Sequence, residues 1–328
     1  MDDFACRVIE ILRGGTHDGP GLRTTVFLKG CSLHCHWCQN PEGISAANEV
    51  WWEPRKCIRC LACVDACPAN ALSAAADGLR RDPEACSLCG ACVAACPALA
   101  LTFTGREWGL DDLVKEALKD RDYYRAFGGG VTVSGGEPLC QYPFVAEFCR
   151  RLQEAGVHTA LDTCGLAPPE ALAAVLPHVD HVLFDMKLLD PSLHQEYTGR
   201  TNEAIVANLM TVADHIRDGR RAGEGAAPGA GVKLWIRTPL IPGATATPEN
   251  IAAIGRFIQQ RLVDVTERWE LCAFNGTCCT KYEKLGRQWP YADYHLLGQR
   301  TVAELRGAAL SSGIAPGLLL VSGLIAND

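Results

Sequence analysis

The sequence predicts an α/β protein in which parallel strands alternate with helices. From residue 110 onward, short apolar and β-branched runs alternate with segments of helical periodicity. Polar residues follow several of these runs, where the carboxyl ends of parallel strands form a site in α/β folds. A cysteine-rich segment of different composition, residues 49–105, interrupts the pattern. We therefore expect one α/β domain, residues 1–48 and 106–328, with residues 49–105 inserted into it.

The predicted elements follow each other regularly along the chain. Strands are expected at 24–28, within 128–138, and at 158–164, 179–187, 232–239, 269–275 and 318–323. Helices are expected at 110–125, 144–155, 169–176, 202–217 and 249–262. Residues 218–231 are rich in small residues, which predicts a surface loop. Repeated βα units place helices outside a parallel sheet.

Composition excludes several classes of protein. Of 328 residues, 48% are hydrophobic and 21% charged, as in ordinary globular proteins. A net charge of −7 without a dense basic run argues against nucleic-acid binding. Acidic residues at the start and the lack of a long apolar run predict a cytoplasmic protein. In that reducing compartment, 18 cysteines indicate metal binding rather than disulfides.

Three cysteines directly behind the first predicted strand form the first candidate metal site. Cys31, Cys35 and Cys38 lie within eight positions, directly after residues 24–28. Thiolates favour iron-sulfur clusters, zinc or Cu(I), and a cubane held by three thiolates leaves its fourth iron open to a substrate. The alternative is a zinc ion whose fourth ligand comes from elsewhere in the chain.

Two near-identical cysteine blocks in the insert predict two further clusters. Each block has the spacing Cys-x-x-Cys-x-x-Cys-x-x-x-Cys-Pro, in which the last cysteine ligates the cluster of the other block. One cluster is then held by Cys57, Cys60, Cys63 and Cys96, and the other by Cys86, Cys89, Cys92 and Cys67. Zinc sites separate their cysteine pairs more widely. Both clusters are fully ligated, which favours electron transfer over substrate binding.

The other seven cysteines are expected to be mostly buried thiols: Cys6, Cys140, Cys149, Cys164, Cys272, Cys278 and Cys279. The last three are close in sequence, but their spacing matches no cluster pattern. Three cubanes predict about 12 irons in all.

Several motifs resemble those of one known family. Cys-x-x-x-Cys-x-x-Cys with Trp37 before the last cysteine resembles the radical S-adenosylmethionine (SAM) signature. The segment 16–24 resembles the entry segment of glycyl-radical-enzyme activating enzymes, a branch of that superfamily. Arg-x-Pro-x-Ile-Pro-Gly at 237–243 and Lys-Tyr-x-x-Leu-Gly at 281–286 extend the resemblance to residue 286. The resemblance implies an open, partial (βα)6 TIM-like barrel of the radical SAM type with a two-[4Fe-4S] ferredoxin-like insert.

The resemblance also implies a reaction. SAM chelates the open iron, and one electron from the cluster cleaves it to a 5′-deoxyadenosyl radical that abstracts hydrogen from a backbone glycine of a partner enzyme. Activators of pyruvate formate-lyase and anaerobic ribonucleotide reductase are shorter and lack the insert, so the expected partner is a glycyl-radical lyase, decarboxylase or dehydratase. An external donor such as flavodoxin or ferredoxin supplies the electron, and anaerobic conditions are expected because oxygen damages an open cubane.

The implied site residues lie at the predicted strand ends. Cys31, Cys35, Cys38 and Lys187 are the expected catalytic residues. Residues expected to bind SAM are Trp37, Cys38, Gln39, Gly135, Gly136, Glu137, Asp162, Thr163, Asp185, Met186, Lys187, Arg237 and Asn275. The Gly-Gly-Glu motif is expected to receive the SAM amino group, and Lys187 its carboxylate.

Two of these assignments have particular alternatives. Asp162, Thr163 and Asp185 either bind a monovalent cation or cap the following turns. Asn275 stands where the family usually has a histidine, and its amide does not titrate near neutral pH.

Two other functions remain open from the sequence. One is a different radical SAM enzyme that modifies a peptide or small molecule, although those families carry their extra cysteines nearer the C-terminus. The other is a ferredoxin-like electron carrier on a barrel scaffold. Cleavage of SAM under a strong reductant separates an enzyme from a carrier.

Overall fold

A computed structural model describes residues 4–76, 78–222 and 231–327. The strands are β1 (Ala5–Gly15), β2 (Arg23–Leu28), β3 (Val50–Trp52), β4 (Leu72–Ala75), β5 (Gly78–Arg81), β6 (Leu101–Phe103), β7 (Arg106–Gly109), β8 (Gly130–Gly135), β9 (His158–Thr163), β10 (His181–Asp185), β11 (Lys233–Leu240), β12 (Thr266–Ala273) and β13 (Leu319–Ser322).

The α-helices are α1 (Ala62–Asp65), α2 (Ala91–Ala94), α3 (Leu110–Leu118), α4 (Arg121–Phe127), α5 (Tyr142–Glu154), α6 (Pro169–Val175), α7 (Pro191–Thr198), α8 (Glu203–Ala222), α9 (Pro248–Arg261), α10 (Cys279–Lys284) and α11 (Gln299–Ser311). Short 3-10 helices cover Pro41–Gly43, Pro54–Lys56, Pro138–Gln141, Leu176–His178 and Pro316–Leu318. Within the residues described, no helix is long and apolar enough to cross a bilayer.

The described strands form one large sheet and two small ones. Nine strands pair in the order β13-β12-β11-β10-β9-β8-β2-β1-β7. From β2 through β8 to β13 every neighbouring pair is parallel, whereas β1 pairs antiparallel with β2 and with β7. The predicted α/β class with a parallel sheet is therefore confirmed.

The central parallel strands β2, β8, β9 and β10 are buried on both faces, as is usual in parallel sheets. In β8, Val131 and Val133 are fully buried on one face, and Thr132 and Ser134 are buried on the other. The buried guanidinium of Arg23 donates from Nε to Thr132 Oγ1 over 2.6 Å. Polar side chains therefore occupy one face of the sheet, while apolar residues of α5, α6, α8 and α9 cover the other.

Most predicted elements exist with shifted ends, and the exceptions have local causes. The predicted helix 110–125 consists of two helices, α3 and α4. At the break, the Asp120 carboxylate accepts a hydrogen bond from Thr24 Oγ1 at 2.7 Å and pairs with Arg13. The predicted loop 218–231 is wrong at its start, since α8 continues to residue 222, and its residues 223–230 lie outside the described chain. The sequence did not predict strands β1 and β3–β7 or helices α1, α2, α7, α10 and α11.

The cysteine-rich segment folds around a small core of its own. Strands β3 and β6 pair antiparallel, and β4 and β5 form a second antiparallel pair. Val50, Leu72, Cys92 and Leu101 form the buried core of this segment. Strand β7 then returns the chain to the edge of the large sheet next to β1.

Alanine substitution of Gly129 tests how tightly the backbone packs just before β8, and Gly156 provides the comparison. A Cβ at Gly129 would lie 1.7 Å from the Leu22 carbonyl oxygen, whereas a Cβ at Gly156 would have nothing within 4 Å. Gly129→Ala should destabilise the fold by about 3 kcal/mol through backbone displacement. Gly156→Ala, at φ +69°, should cost about 1 kcal/mol for the left-handed conformation alone. Anaerobic urea denaturation would measure both, and equal losses would contradict the packing argument.

Candidate active site

One large cavity opens at the carboxyl ends of the parallel strands. Its volume is about 340 Å³, within the range of small-molecule sites. The residues that line it come from the cysteine loop and from the ends of six neighbouring strands. They include Phe27 from β2, Ser134 and Gly135 from β8, Asp162 and Thr163 from β9, Asp185 from β10, Arg237 and Pro239 from β11, and Cys272 and Ala273 from β12. All three thiols of the loop, Cys31, Cys35 and Cys38, also line it.

Backbone hydrogen bonds hold the cysteine loop from two sides. On one side, the amides of Gly30 and Cys31 donate to the carbonyls of Gly43 and Ile44, at 2.8 and 3.0 Å. On the other, the amides at positions 34 and 36 donate to the carbonyls at positions 198 and 197, at the end of α7, over 2.9 and 3.0 Å. These four backbone hydrogen bonds therefore fix the conformation of the loop.

Helix α10 fastens the end of the loop. Tyr282 donates its hydroxyl to the carbonyl of Cys38 at 3.1 Å. Lys281 Nζ donates to Asn40 Oδ1 and to Glu42 Oε1, both at 2.7 Å, and the Glu42 side chain is only 2% exposed. These contacts explain the Lys-Tyr pair of the sequence motif at 281–286 structurally. Sequence reasoning recognised the motif but did not predict this role.

The glycines before Glu137 are required by the backbone of the loop. A Cβ at Gly136 would lie 2.2 Å from the carbonyl oxygen of Gly30, and a Cβ at Gly135 would lie 2.2 Å from the amide nitrogen of Leu28. Gly135 also has a φ of +119°, which disfavours any side chain. The end of β8 therefore lies directly against the loop, and both glycines line the cavity.

The Glu137 side chain does not line the cavity. Its carboxylate is fully buried and accepts hydrogen bonds from Thr163 Oγ1 at 2.7 Å and from the amides of Cys164 and Leu139 at 2.8 and 3.0 Å. Burial raises its pKa although these donors lower it. The carboxylate thus joins β8 to the end of β9, and of the Gly-Gly-Glu motif only the two glycines line the cavity.

Four charged side chains form a paired network on the cavity wall. Lys187 Nζ donates to Asp185 Oδ2 at 2.7 Å, and Arg237 Nη1 donates to Asp162 Oδ1 at 3.2 Å. Arg237 Nε lies 3.9 Å from Asp185 Oδ1, so the guanidinium contacts both carboxylates. Ser134 Oγ donates to Asp162 Oδ2 at 2.7 Å. The two positive and two negative charges balance. Binding of a monovalent cation by Asp162, Thr163 and Asp185, one of the two alternatives for these residues, stays a prediction.

Burial and pairing shift the pKa values of this network in opposite directions. Burial raises the pKa of Asp162 to about 6, although Arg237 opposes the shift. Burial alone would also raise the pKa of Asp185. The positive charges of Lys187 and Arg237 outweigh burial, and the pKa of Asp185 is lowered. Burial lowers the pKa of Lys187, but the negative charge of Asp185 raises it. The net effect is a rise, which keeps the ammonium charged.

The thiols of the loop differ in their surroundings. Burial raises the pKa of Cys35 to about 12. A hydrogen bond with the Cys164 thiol lowers the pKa of Cys31 despite burial. A buried neutral thiol must lose its proton to bind a metal, so loading this site would release protons.

The other expected SAM-binding residues divide into two groups. Those that line the cavity are Trp37, Cys38, Gln39, Gly135, Gly136, Asp162, Thr163, Asp185, Lys187, Arg237 and Asn275. Met186 does not: its side chain lies in the core, and its amide donates to the Arg237 carbonyl at 2.8 Å. The Asn275 carbonyl accepts from Gln39 Nε2 at 3.1 Å, and its Oδ1 accepts from Thr277.

The eight cysteines of the insert line two separate small cavities. One is lined by Cys57, Cys60, Cys63 and Cys96, and the other by Cys67, Cys86, Cys89 and Cys92. These are the two sets that the crossed ferredoxin pattern predicts. In residues 4–76, 78–222 and 231–327, no three His, Cys, Asp or Glu side chains form a group that would hold a single metal ion.

The two cysteine blocks repeat the same unusual backbone. Positive φ angles occur at Arg59 (57°) and Leu61 (60°), and again 29 positions later at Leu88 (57°) and Gly90 (78°). A third pair, Asn70 at 50° and Leu99 at 51°, follows the same offset. Leucine and arginine rarely adopt this conformation because their Cβ atoms crowd the backbone. The repetition shows that both blocks wrap their cavities in the same way.

The cysteines after residue 270 are not gathered in one place. Cys272 lines the large cavity at the end of β12, where burial raises its pKa to about 11. Cys278 is buried in the main core, and Cys279 begins α10.

Comparison with known proteins shows the family to which this chain belongs. Residues 25–223 match the radical SAM superfamily, the class that the three-cysteine loop and the parallel sheet define. The isethionate sulfite-lyase activating enzyme of Nitratidesulfovibrio vulgaris is 36% identical over 292 residues, 87% of this chain and 89% of that protein. The trans-4-hydroxy-L-proline dehydratase activating enzyme of Clostridioides difficile is 39% identical over 245 residues, 74% of this chain and 76% of its own. The indoleacetate decarboxylase activating enzyme of Tractidigestivibacter scatoligenes is 35% identical over 289 residues, 85% and 86% of the two chains. The chain therefore belongs to the glycyl-radical-enzyme activating enzymes of the radical SAM superfamily.

The elevated pKa of Asp162 is directly measurable. Its native carboxyl keeps a proton up to about pH 6, whereas the unfolded carboxyl loses it near pH 4. Because the native state binds the extra proton in this window, the contribution of Asp162 to stability should fall as the pH rises from about 4 to about 6. The infrared band of a protonated carboxyl, taken as wild type minus Asp162→Asn, should titrate with a midpoint near 6. A midpoint near 4 would refute this expectation.

Two lysines of α10 should differ in their effect on stability. Lys281→Met strands the buried carboxylate of Glu42 and should cost about 3 kcal/mol. Lys284→Met removes a pair with Glu53 in which both side chains are 26% exposed, and should cost less than about 1 kcal/mol. Anaerobic urea denaturation measures both. Adding Glu42→Gln should recover part of the first loss, and equal effects of the two lysines would be evidence against the anchoring role of Lys281.

Proposed function

We propose that this chain activates a partner glycyl-radical enzyme with a [4Fe-4S] cluster at Cys31, Cys35 and Cys38 and with SAM in the adjoining cavity. When bound, cluster and SAM supply the 5′-deoxyadenosyl radical that takes hydrogen from a backbone glycine of the partner. One observation carries the proposal: the three thiols and the polar ends of the parallel strands line the same cavity.

The polar groups of the cavity wall suit the amino-acid end of SAM, which carries a carboxylate and an ammonium. Lys187 and Arg237 offer cations to a carboxylate, and Asp162 and Asp185 balance them when the site is free. The main chain at Gly135 and Gly136 offers carbonyls to an ammonium without side chains in the way. In this assignment Glu137 does not contact SAM, because its carboxylate accepts hydrogen bonds from Thr163 and Cys164. Its proposed role is to fix the position of the end of β8.

The protein residues are proposed to position and shield rather than to transfer protons. Trp37 is 5% exposed and Phe274 2%, and both line the cavity beside the cysteine loop. Such apolar walls exclude water from a reactive intermediate. No side-chain acid or base is needed when the abstracting group is a carbon radical.

We infer that the sheet closes partly into a (βα)6 barrel formed by residues 1–48 and 106–328. Six neighbouring strands in a flat sheet would span about 24 Å, at about 4.8 Å between strands. Their ends nevertheless line one cavity of about 340 Å³, and Arg237 of β11 reaches Asp162 of β9. Curvature of the sheet explains both facts.

We further propose that residues 49–105 form a ferredoxin-like insert with two more [4Fe-4S] clusters. The crossed sets of cysteines that line the two small cavities, and the backbone repeated at an offset of 29 residues, support this assignment. The protein then holds three cubanes and about 12 irons.

The partner is proposed to be a lyase, dehydratase or decarboxylase of the glycyl-radical type. The named relatives activate an isethionate sulfite-lyase, a trans-4-hydroxy-L-proline dehydratase and an indoleacetate decarboxylase. Their identities to this chain, from 35% to 39%, are too similar to favour one of these substrates. We place the protein in the cytoplasm, with an external flavodoxin or ferredoxin as electron source.

Loss of one loop cysteine gives the decisive test. The wild-type protein, reconstituted anaerobically and supplied with a reductant, SAM and a candidate partner, should cleave SAM and give a glycyl-radical doublet by electron paramagnetic resonance. Cys35→Ala should abolish both signals and lower the iron content from about 12 to about 8, because only the first cluster depends on this thiol.

Cys279→Ala is the matched control, since Cys279 belongs to none of the proposed ligand sets. It should keep both signals and about 12 irons. SAM cleavage without a radical on any glycyl-radical partner would favour a different radical SAM enzyme, and no cleavage by the fully loaded wild type would favour an electron carrier.

A further inference from the structure

The two cysteine cavities of the insert lie beneath surfaces that differ in charge. Next to the first cavity, the side chains of Arg55, Lys56 and Arg59 are all exposed. The first block also exposes one acid, Asp65. Next to the second cavity charges of both signs occur: Asp82, Glu84 and Arg80 are exposed, and Arg81 lines the cavity. Each cavity has one exposed cysteine, Cys60 and Cys89 respectively. Although the cysteine spacing is repeated, the surroundings of the two thiols are therefore different.

No salt bridge of residues 4–76, 78–222 or 231–327 includes Arg55, Lys56 or Arg59. Glu53, the nearest acid in sequence, pairs with Lys284 at 2.7 Å. In a chain of net charge −7, these three positive charges remain available to an external anion or acidic surface.

Apolar side chains complete this surface. Ile58 is 65% exposed, Leu61 40% and Leu99 67%. Exposed apolar groups surrounded by charge are typical of protein contact sites. Ile58, Arg59 and Leu61 also line the cavity of the first cysteine set, so one layer of residues separates that cavity from solvent. We call the surface the basic face; it comprises Arg55, Lys56, Ile58, Arg59, Leu61 and Leu99.

We propose that the basic face docks an acidic one-electron carrier protein and that the cluster held by Cys57, Cys60, Cys63 and Cys96 receives the electron. This inference rests on the proposed function, which requires an external reductant. One electron leaves the reduced cofactor of the carrier and reduces one cubane from the 2+ to the 1+ state, with no bond broken and no proton moved.

The chemistry of the face favours such a carrier over other partners. Electron-transfer contacts are small and transient, which suits a face of three exposed apolar and three exposed basic side chains. Charge complementarity steers an acidic protein to this place, although the chain as a whole is acidic and repels it elsewhere. The glycyl-radical partner must reach the large cavity, and no residue of the basic face lines that cavity.

Charge reversal tests the proposal with flavodoxin, an acidic flavoprotein, as the probe. In the cluster-loaded protein, Arg55→Glu/Lys56→Glu/Arg59→Glu should weaken binding of oxidised flavodoxin at least tenfold by calorimetry. The second-order rate at which reduced flavodoxin bleaches the clusters should fall by a similar factor in stopped flow. Reduction by photoexcited deazaflavin, a small molecule that needs no docking, should stay within twofold of wild type.

Arg256→Glu/Arg261→Glu/Arg306→Glu is the matched control, since it makes the same change of charge on α9 and α11 and should leave flavodoxin binding within twofold. If the first variant loses iron, Arg55→Gln/Lys56→Gln/Arg59→Gln replaces it, with a smaller loss of binding expected. The wild type alone gives a further test, because raising salt from about 0.05 to 0.5 M should weaken flavodoxin binding by screening.

Three results would overturn the proposal: flavodoxin binding unchanged in both variants of the basic face, an equal loss in the control, or wild-type binding insensitive to salt. A variant that loses binding to the glycyl-radical partner but not to flavodoxin would assign the face to that partner instead. Failure of the proposed function would give a different result, because wild type reduced by deazaflavin would then bind SAM without cleaving it.

Discussion

The backbone of β8 and the backbone of the cysteine loop approach each other more closely than any side chain would permit. Gly135 and Gly136 lie against Leu28 and Gly30, so the strand end and the three thiols share one rigid frame. The end of α7 and helix α10 complete that frame from other sides. Because an open iron must meet its substrate at a fixed position, rigidity of this loop is the condition on which the proposed chemistry depends.

A second constraint is the neutrality of the polar cavity wall. Two carboxylates and two cations are taken out of bulk water together, and each buried charge has a partner of opposite sign. An unpaired charge there would cost several kcal/mol, on the order of 3–5. In the proposed complex, Lys187 and Arg237 would exchange part of this internal pairing for the carboxylate of SAM.

The insert shows how one repeated pattern serves two environments. Its blocks share cysteine spacing and backbone conformation, which the contacts around each cavity require. Their surfaces differ in charge, because exposed side chains are not constrained by the cavity beneath them. A repeated backbone with different outer surfaces would allow one site to face the proposed carrier protein while the other does not.

The sequence by itself determined the alternation of parallel strands and helices and the grouping of cysteines into three sets, because periodicity and ligand spacing are local properties. Most residues of the cavity wall were expected from the resemblance of its motifs to a known family. Only the tertiary structure decided which polar atoms meet: that Glu137 turns to Thr163 and Cys164, that Arg237 joins Asp162 to Asp185, and that Lys281 reaches Glu42. These partners lie up to 239 positions apart, and hydrogen bonds over such separations are fixed by how the strand ends pack in space.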